Sequence, residues 1–500
     1  MEELKNLSEP PEFWKHLYEI TKIPRCSENE KKIRRFVKEK AEEYGFNSNR
    51  DDIGNLVVYI PSDNGNPSAT KIILQVHLDM VCEKNSNIEH DFSKDPIKTK
   101  AVEIEGEKWV TADGTTLGAD NGVGIAYCLT LMEKISKGDI TFKNIAFELL
   151  FTVNEELELT GAFGLDGSLL EGKYLINLDS EEDDAFTIGC AGGIRTYGDI
   201  TIEWEDPSEM LDNIVPLKIK VVGLLGGHSG ADIHKPRGNS LKILGIILWK
   251  LNQQFDLYLS EIEGGNRPNA IPRESMATIH IKKDKIERAK QFIEERTQEI
   301  KDNLGLEEPD LDIIVEKGNV SPSNAVFEKY FTDQLIHLLY ILPHGVFSMH
   351  PQIEGLVHTS SNFASIQRED EQLKMVNMQR SVSKAGVELS KEIITASFLI
   401  SGLDVNVHYS DGYPGWEPNF DSKVLKFAKA TYEEQFDGEP IVKAIHAGLE
   451  CGILKEKLPE TEMISIGPTI KGPHSPDERL QVKSVEKVWT LLVNILKKFE

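Results

Sequence analysis

The chain has 500 residues, of which 40% are hydrophobic and 28% are charged, and its formal net charge is −26. This composition is typical of a soluble globular protein with room for more than one domain. The negative charge argues against non-specific binding to nucleic acid, which needs clustered Lys and Arg, and gives no reason to expect docking on an anionic membrane.

The lack of a recognisable targeting signal and the pattern of cysteines lead us to expect a cytoplasmic protein. The polar N-terminus lacks the basic start and the apolar stretch of a secretory signal. No segment reaches the roughly 20 apolar residues that span a bilayer. The cysteines are scattered and odd in number, which favours reduced thiols over a disulfide framework; they are Cys26, Cys82, Cys128, Cys190 and Cys451.

The first part of the chain alternates helix-like and strand-like runs. Apolar spacing predicts helices over residues 11–18, 28–44 and 122–132. Short apolar runs predict strands over residues 55–60, 71–76, 145–153, 174–178 and, much later, 463–466. Buried strands between helices are typical of an α/β sandwich whose sheet is covered on both faces.

A glycine-rich segment at 189–193 marks the start of an insertion. Inside it, the pattern predicts helices over 240–254, 285–304, 325–342 and 384–402, and strands over 217–222, 277–281, 354–366, 372–378 and 404–409. The repeated order is compatible with two related α+β units. We therefore expect a discontinuous catalytic domain, at 1–187 and 403–500, around an inserted domain at 188–402.

Acidic and histidine side chains come at the ends of the predicted strands of the first domain. Those that directly follow a strand are His77, Asp79, Glu155, Glu156 and Asp179. Asp120 precedes a helix in a glycine-rich segment, and His474 lies in a proline-rich loop after residues 463–466. Open α/β sheets bind ligands at the carboxyl ends of their strands, so these side chains are expected to converge. Two imidazoles and five carboxylates can hold two Zn²⁺ or Mn²⁺ ions and still supply a base.

Each of these residues also has a purely structural interpretation. Asp120 and Asp179 are plausible helix caps, Glu155 and Glu156 a solvated acidic edge, His77 and Asp79 a surface ion pair, and His474 an ordinary loop histidine. Their joint order along the chain favours the metal interpretation. Residues i and i+2 of a strand face the same way, so Asp79 is expected to orient His77. Consecutive strand residues face opposite ways, so the two glutamates are expected to differ in role.

Several longer stretches carry a resemblance to a known family. They are HLDMV, TTLGADNG, GAFGL, CAGGI, GLLGGHSG, NAIPRE, YPGW, IHAGLECG and SIGPTIKGPHSPDE. In them the chain resembles, nearly end to end, the aminoacyl-histidine dipeptidases, which belong to the co-catalytic metallopeptidase superfamily with carboxypeptidase G, peptidase T and the aminoacylases. The resemblance implies a three-layer α/β/α catalytic domain with a mixed, mostly parallel sheet and an inserted α+β lid or dimerisation domain.

The resemblance also implies the roles of the site residues. Asp120 bridges two divalent metals, usually zinc with Mn²⁺ or Co²⁺ able to substitute, and is followed by a cis peptide bond. The remaining ligands are His77 and Asp179 at one metal, and Glu156 and His474 at the other. Glu155 is the general base for a hydroxide shared by the two metals, and Asp79 supports His77.

Further residues are implied for substrate binding. His228, from the inserted domain, stabilises the oxyanion, while Asn269 and Arg380 bind the polar ends of the substrate. Glu450 is expected to line the pocket and to contact the dipeptide amine. The implied activity is hydrolysis of Xaa-His and related dipeptides, including β-alanyl-histidine, by a homodimer that associates through the inserted domain.

Two other functions are compatible with this pattern. A related di-zinc deacylase or amidohydrolase would use the same ligands, because its substrate choice lies in the pocket of the inserted domain. A catalytically inactive metal- or peptide-binding homologue is expected to lack a ligand or the base, yet all seven positions are present here.

Overall fold

The structure is a computed structural model that describes Leu4 and residues 7–206, 213–318 and 325–500. By its internal contacts the chain divides into two units. The first comprises Met1–Gly189, Trp416–Ala444 and Leu449–Glu500, and the second comprises Cys190–Gly415 and Ile445–Gly448. Each unit has its own hydrophobic core. Within the described ranges, no helix is both long enough and apolar enough to cross a membrane.

An eight-stranded mixed sheet forms the centre of the first unit. In order across the sheet, its strands are Asn47–Arg50, Leu56–Ile60, Ile145–Thr152, Thr70–His77, Tyr174–Asn177, Glu462–Ser465, Ala185–Cys190 and Ile441–Ile445. The four strands from Ile145–Thr152 to Glu462–Ser465 run parallel to one another. Their carboxyl ends therefore meet at one edge of the sheet.

Helices cover this sheet. They are Pro11–Ile20, Lys31–Glu43, Ala119–Lys137, Lys423–Gln435, Glu450–Lys457 and Val482–Lys497, with short helices at Glu155–Glu158 and Thr160–Gly164. Pro11–Ile20, for example, buries Phe13, Leu17 and Ile20, which recur at helical spacing on one face. Ala119–Lys137 buries nearly every side chain of its first half, as expected of a helix enclosed by the core.

A four-stranded antiparallel sheet in the first unit carries the loop of His474. Its strands are Ile470–Lys471, Arg479–Gln481, Glu107–Ala112 and Thr99–Ile104. Ile470–Lys471 and Arg479–Gln481 pair as a hairpin, and the segment between them contains both His474 and Glu478.

The second unit is built on a nine-stranded antiparallel sheet. Its strands are Asp312–Lys317, Ile214–Val222, Ser275–Lys282, Leu257–Gly264, Val357–Glu369, Gln372–Ser381, Gly192–Thr201 and Val405–Tyr409, with Gly345–Met349 paired to Val357–Glu369. Its helices are Ser240–Asn252, Ile286–Leu304, Lys329–Ile341 and Lys384–Ile400. Two short ribbons, Trp204–Glu205 with Val326–Phe327 and Gly227–His228 with Ala270–Ile271, complete the unit.

The predicted fold class is confirmed, but two details of the sequence analysis, a domain boundary and the start of a helix, are wrong. The second unit extends to Gly415 because Val405–Tyr409 pairs with Gly192–Thr201, so a return at residue 403 is too early. The strands of the two expected α+β units lie in one sheet, which is compatible with that expectation. The predicted helix at 325–342 begins only at Lys329, because Val326–Phe327 is a strand and Glu328 caps the helix.

The prediction of reduced thiols is wrong for one pair of cysteines. Cys26 and Cys82 form a disulfide with their Cα atoms 5.7 Å apart, whereas Cys128, Cys190 and Cys451 are buried and lie outside any disulfide. An isolated bridge between Cys26 and Met80 brings the two segments together. The separation of 56 residues hides this proximity in the sequence.

Candidate metal centre and active site

The carboxylate of Asp120 lies between two histidines of the first unit. Its Oδ1 is 3.0 Å from His77 Nε2, and its Oδ2 is 3.1 Å from His474 Nε2. Asp120 opens the helix Ala119–Lys137 in a non-helical conformation, and its peptide bond to Asn121 is cis, as the family resemblance implied. The two oxygens of one side chain therefore face two different imidazoles.

A second carboxylate accompanies each histidine. His77 Nε2 is 3.3 Å from Asp179 Oδ1, and Asp179 Oδ1 also accepts a hydrogen bond of 2.5 Å from Asn121 Nδ2. His474 Nε2 is 3.0 Å from Glu156 Oε2. The sequence-predicted ligands thus form two groups that share Asp120.

Asp79 joins the first group to the paired glutamates. Its Oδ1 is 3.3 Å from His77 Nδ1, and its two oxygens accept the backbone N–H groups of Glu155 at 3.0 Å and Glu156 at 3.1 Å. Ser27 Oγ donates a further bond of 2.8 Å to Asp79 Oδ2. Asp79 is buried, so its carboxylate acts as a fixed connection between these segments.

The paired glutamates lie on a helical turn and not at the end of a strand. The strand ends at Thr152, Asn154 adopts a left-handed conformation, and Glu155–Glu158 forms a short helix. We expected the two glutamates to differ in role because consecutive strand residues face opposite ways. That reason is wrong, because neither glutamate lies in a strand. What distinguishes the two glutamates is their contacts, since Glu156 approaches His474 whereas Glu155 has no ion-pair partner within the described ranges.

Burial and mutual repulsion change the acidity of this cluster. Burial raises the pKa of Glu155 well above its usual value, with His77 opposing the shift and Asp179 adding to it. Burial likewise raises the pKa of Asp179 to about 6, although the charge of His77 opposes it. Hydrogen bonds to Asp120 and Glu156 raise the pKa of His474 to about 11. The carboxylates thus attract protons or cations strongly.

The residues fit a site for divalent cations. One ligand atom each from His77, Asp120 and Glu156 lies within 4.8 Å of the others. Glu156 Oε1 is buried without a hydrogen-bond partner. Buried carboxylates and imidazoles that face one another are stabilised when a metal replaces the protons between them.

His228, Arg380 and Asn269 come together in the second unit. His228 Nδ1 accepts the backbone N–H groups of Gly230 at 3.2 Å and Ala231 at 3.0 Å, so its neutral ring carries the proton on Nε2. Burial, with the charge of Arg380, lowers the pKa of His228 to about 4. Asn269 is exposed, and its carbonyl accepts the backbone N–H of Ser229 at 2.8 Å.

Arg380 is a buried cation held by neutral groups. It is 4% exposed, donates to Ser229 Oγ at 3.2 Å and to the hydroxyl of Tyr413, and has its Nη2 3.5 Å from His228 Nε2. Within the described ranges, no carboxylate forms an ion pair with it. Two N–H donors, on His228 and Arg380, therefore point towards each other, which suits an anion placed between them.

Glu450 lies in the first unit beneath the ends of the central strands. It is 1% exposed, and its Oε2 accepts hydrogen bonds from Gln75 Nε2 at 2.6 Å and Thr152 Oγ1 at 2.8 Å. Burial raises its pKa to about 7, although the charge of His77 opposes the shift. Its Oε1 is buried without a partner, so one oxygen of Glu450 remains able to accept a hydrogen bond.

Comparison with known proteins identifies the family. The model of peptidase family M20/M25/M40 matches residues 73–498. The chain belongs to this family. It is 37% identical over 499 residues to the cytosol non-specific dipeptidase of Escherichia coli, with 99% of each chain covered.

Solved structures agree with this assignment. The aminoacylhistidine dipeptidase of Vibrio alginolyticus matches with a TM-score of 0.86 and 35% identity, over 99% of this chain and 97% of that one. The aminopeptidase PepT of Bacillus cereus matches with a TM-score of 0.57 and 14% identity over 99% of both chains, which shows a shared fold.

Two residues near this cluster were not predicted from the sequence. Arg25 and Glu478 are almost fully buried and contact the backbone that leads into Asp120, Arg25 at the carbonyl of Gly118 and Glu478 at the N–H of Asp120. Their contacts are to peptide groups, which every residue carries, so no side-chain pattern could reveal them. The one available signal was that Glu478 lies in the same segment, GPHSPDE, as His474.

Proposed function

We propose that this protein is a dipeptidase that hydrolyses Xaa-His and related dipeptides with two divalent metal ions, and that these ions are zinc. The observation that carries the proposal is the Asp120 carboxylate, whose two oxygens face His77 and His474. The names of the relatives from E. coli and V. alginolyticus support dipeptides as the substrate class.

The proposed ligands follow from the two groups around Asp120. His77 and Asp179 would hold one ion, Glu156 and His474 would hold the other, and Asp120 would contact both. Bound divalent ions supply Lewis-acid chemistry, in that they polarise a peptide carbonyl and make water more acidic.

Glu155 is the proposed general base. Its backbone is held by Asp79 at 3.0 Å, and burial, to which neighbouring carboxylates add, raises the pKa of its side chain. A carboxylate of raised pKa accepts a proton from the attacking water and can return it to the nitrogen of the leaving amine. Asp79 also orients His77 through Nδ1, which leaves Nε2 for the cation.

The second unit supplies the proposed anion-binding groups. His228 offers Nε2–H, and Arg380 offers a guanidinium without an acidic partner, so together they would bind an oxyanion or the substrate carboxylate. We propose that Asn269 contacts the same end of the substrate and that Glu450 accepts a hydrogen bond from the dipeptide amine through its free oxygen.

A cytoplasmic location and a homodimer formed through the second unit complete the proposal. The location is supported by the E. coli relative, which is named a cytosol enzyme. Sedimentation at several concentrations tests the dimer, because a monomer at all of them would exclude it.

Hydrolysis assays on defined substrates test the proposed activity. Metal-free protein is loaded with Zn²⁺, Mn²⁺ or Co²⁺ and assayed with a panel of Xaa-His dipeptides, β-alanyl-histidine and an N-acylated amino acid. We expect metal-dependent release of histidine from the dipeptides. Cleavage of the acylated amino acid alone would point to a deacylase, and no cleavage with any metal would reject the proposal.

A further inference from the structure

Gly118, two residues before Asp120, has both its N–H and its carbonyl hydrogen-bonded to buried side chains. Its N–H donates to Glu478 Oε2 at 2.8 Å, and its carbonyl accepts from Arg25 Nη2. Glu478 also accepts the N–H of Leu117 at 2.7 Å and that of Asp120 at 3.1 Å. One carboxylate thus bonds to three peptide groups of the segment that presents Asp120.

Arg25 extends this contact to a second segment. Its Nη1 donates to the carbonyls of Leu78 at 3.1 Å and Asp79 at 2.5 Å. The side chain is 2% exposed, and no carboxylate of the described chain lies within ion-pair distance of it. A buried guanidinium that bonds only to carbonyls serves to fix backbone, because its five donors form a rigid fork.

The close packing around Gly118 explains why a glycine occupies this position. Gly118 has φ +69°, and a Cβ built there would lie 2.6 Å from Arg25 Nη2 and 2.6 Å from Met80 Sδ. The glycine therefore allows both the left-handed turn and the close approach of the guanidinium.

We propose that Arg25 and Glu478, here called the Gly118 clamp, are positioning residues that set the place of Asp120 and Asp79. Neither residue belongs to the proposed ligand set or contacts the reacting groups. The clamp joins the backbone that leads into Asp120 to the backbone of Asp79, which supports His77. It therefore fixes the distances from Asp120 to His77 and to His474. The inference rests on the proposed metal ligands but not on the identity of the substrate.

Arg25 and Glu478 can each be tested with a conservative change. Glu478→Gln keeps the volume but leaves one acceptor oxygen for three N–H groups. Arg25→Lys keeps the charge but cannot reach carbonyls of both segments, and Arg25→Met removes the charge as well. Asp477→Asn and Lys22→Met are matched controls, since both native side chains are exposed.

Zinc affinity of the metal-free protein, measured by calorimetry, decides the proposal, with thermal unfolding of the metal-free variants alongside it. We expect Glu478→Gln and both Arg25 variants to bind zinc about 10–100-fold more weakly, the usual effect of losing an outer-shell partner. The controls should bind zinc normally. Zinc affinities equal to those of the controls, or weakened only where the metal-free variant also unfolds at lower temperature, would overturn the clamp. Because this readout needs no substrate, a failure of the dipeptidase proposal would appear separately, as unmodified protein that binds zinc without hydrolysing dipeptides.

Discussion

Asp79 accepts the backbone N–H of Glu155 at 3.0 Å. The same carboxylate lies 3.3 Å from Nδ1 of His77, so one buried side chain fixes both a proposed metal ligand and the proposed base. A change at Asp79 is therefore expected to affect two functions at once, whereas a change at Glu155 should affect only one.

Glu155→Gln should retain bound metal and lose activity. The amide keeps the size of the side chain and the backbone bond to Asp79 but cannot accept the proton. We expect kcat to fall by about 10²–10⁴-fold, the usual contribution of general acid–base catalysis. Steady-state kinetics and metal analysis of the purified variant measure the two effects.

Glu158→Gln is the matched control for this variant, because Glu158 lies on the same helical turn and is exposed. It should behave as the unmodified protein does. Near-normal turnover of Glu155→Gln would remove Glu155 from the role of base.

His228→Ala should lower kcat without loss of metal. If the neutral ring donates Nε2–H to the developing oxyanion, its removal costs about 10²–10³-fold in kcat. His234→Ala, at an exposed histidine of the same unit, should leave kcat unchanged. Metal loss from the His228 variant would instead indicate a misassigned ligand.

Removal of metal by a chelator should lower the unfolding temperature. Without cations, the carboxylates of Asp120, Asp179 and Glu156 repel one another in a buried site. A metal present at 100 times its Kd stabilises the folded state by about 2.7 kcal/mol. Differential scanning calorimetry with and without zinc measures the shift, which should be smaller in Asp120→Asn. Equal unfolding temperatures in both conditions would contradict a structural effect of metal.

A buried acid remote from the metal ligands predicts a pH-dependent stability. Glu133 is bonded to His16 Nε2 at 2.7 Å and to Lys137 Nζ at 2.6 Å. Burial alone would raise its pKa, but the bond from Lys137 and the charge of His16 lower it from 4.5 to about 2. The ionised form is therefore favoured in the folded state. Its stabilisation is complete above pH 4.5 and is lost as the pH falls through about 2.

Glu133→Gln tests this effect directly. At pH 7 the variant should lose about 1.5–3 kcal/mol, the range for hydrogen bonds to a charged group. The difference from the unmodified protein should shrink below pH 4.5. Urea unfolding across this pH range measures it, with Glu39→Gln in an exposed pair as the control. A difference that stays constant with pH would mean that Glu133 is not stabilised by its charge.

The convergence of the site residues could be predicted because it follows from strand topology. His77 ends its strand, and Asp179 comes just after the next parallel strand, so a parallel sheet brings them to one edge. The return of His474 depended on the segment Met463–Ile466 joining the same sheet, which the strand Glu462–Ser465 does. Apolar runs sufficed for these predictions.

The rest of the site depends on contacts that leave no periodic signal. Glu478 and Arg25 bond to peptide groups, and the pairing of Cys26 with Cys82 follows from a single bridge between distant loops. The strand Val405–Tyr409 was predicted within the insertion, but the boundary placed at residue 403 left it outside. Its pairing with Gly192–Thr201 is decided by tertiary packing and not by its own sequence.

Anomalous diffraction from crystals grown with zinc, recorded at the zinc edge, tests the central claim most directly. Two peaks are predicted, both in contact with the Asp120 carboxylate, one beside His77 and Asp179 and the other beside His474 and Glu156. A single peak, or peaks that do not touch Asp120, would contradict the account.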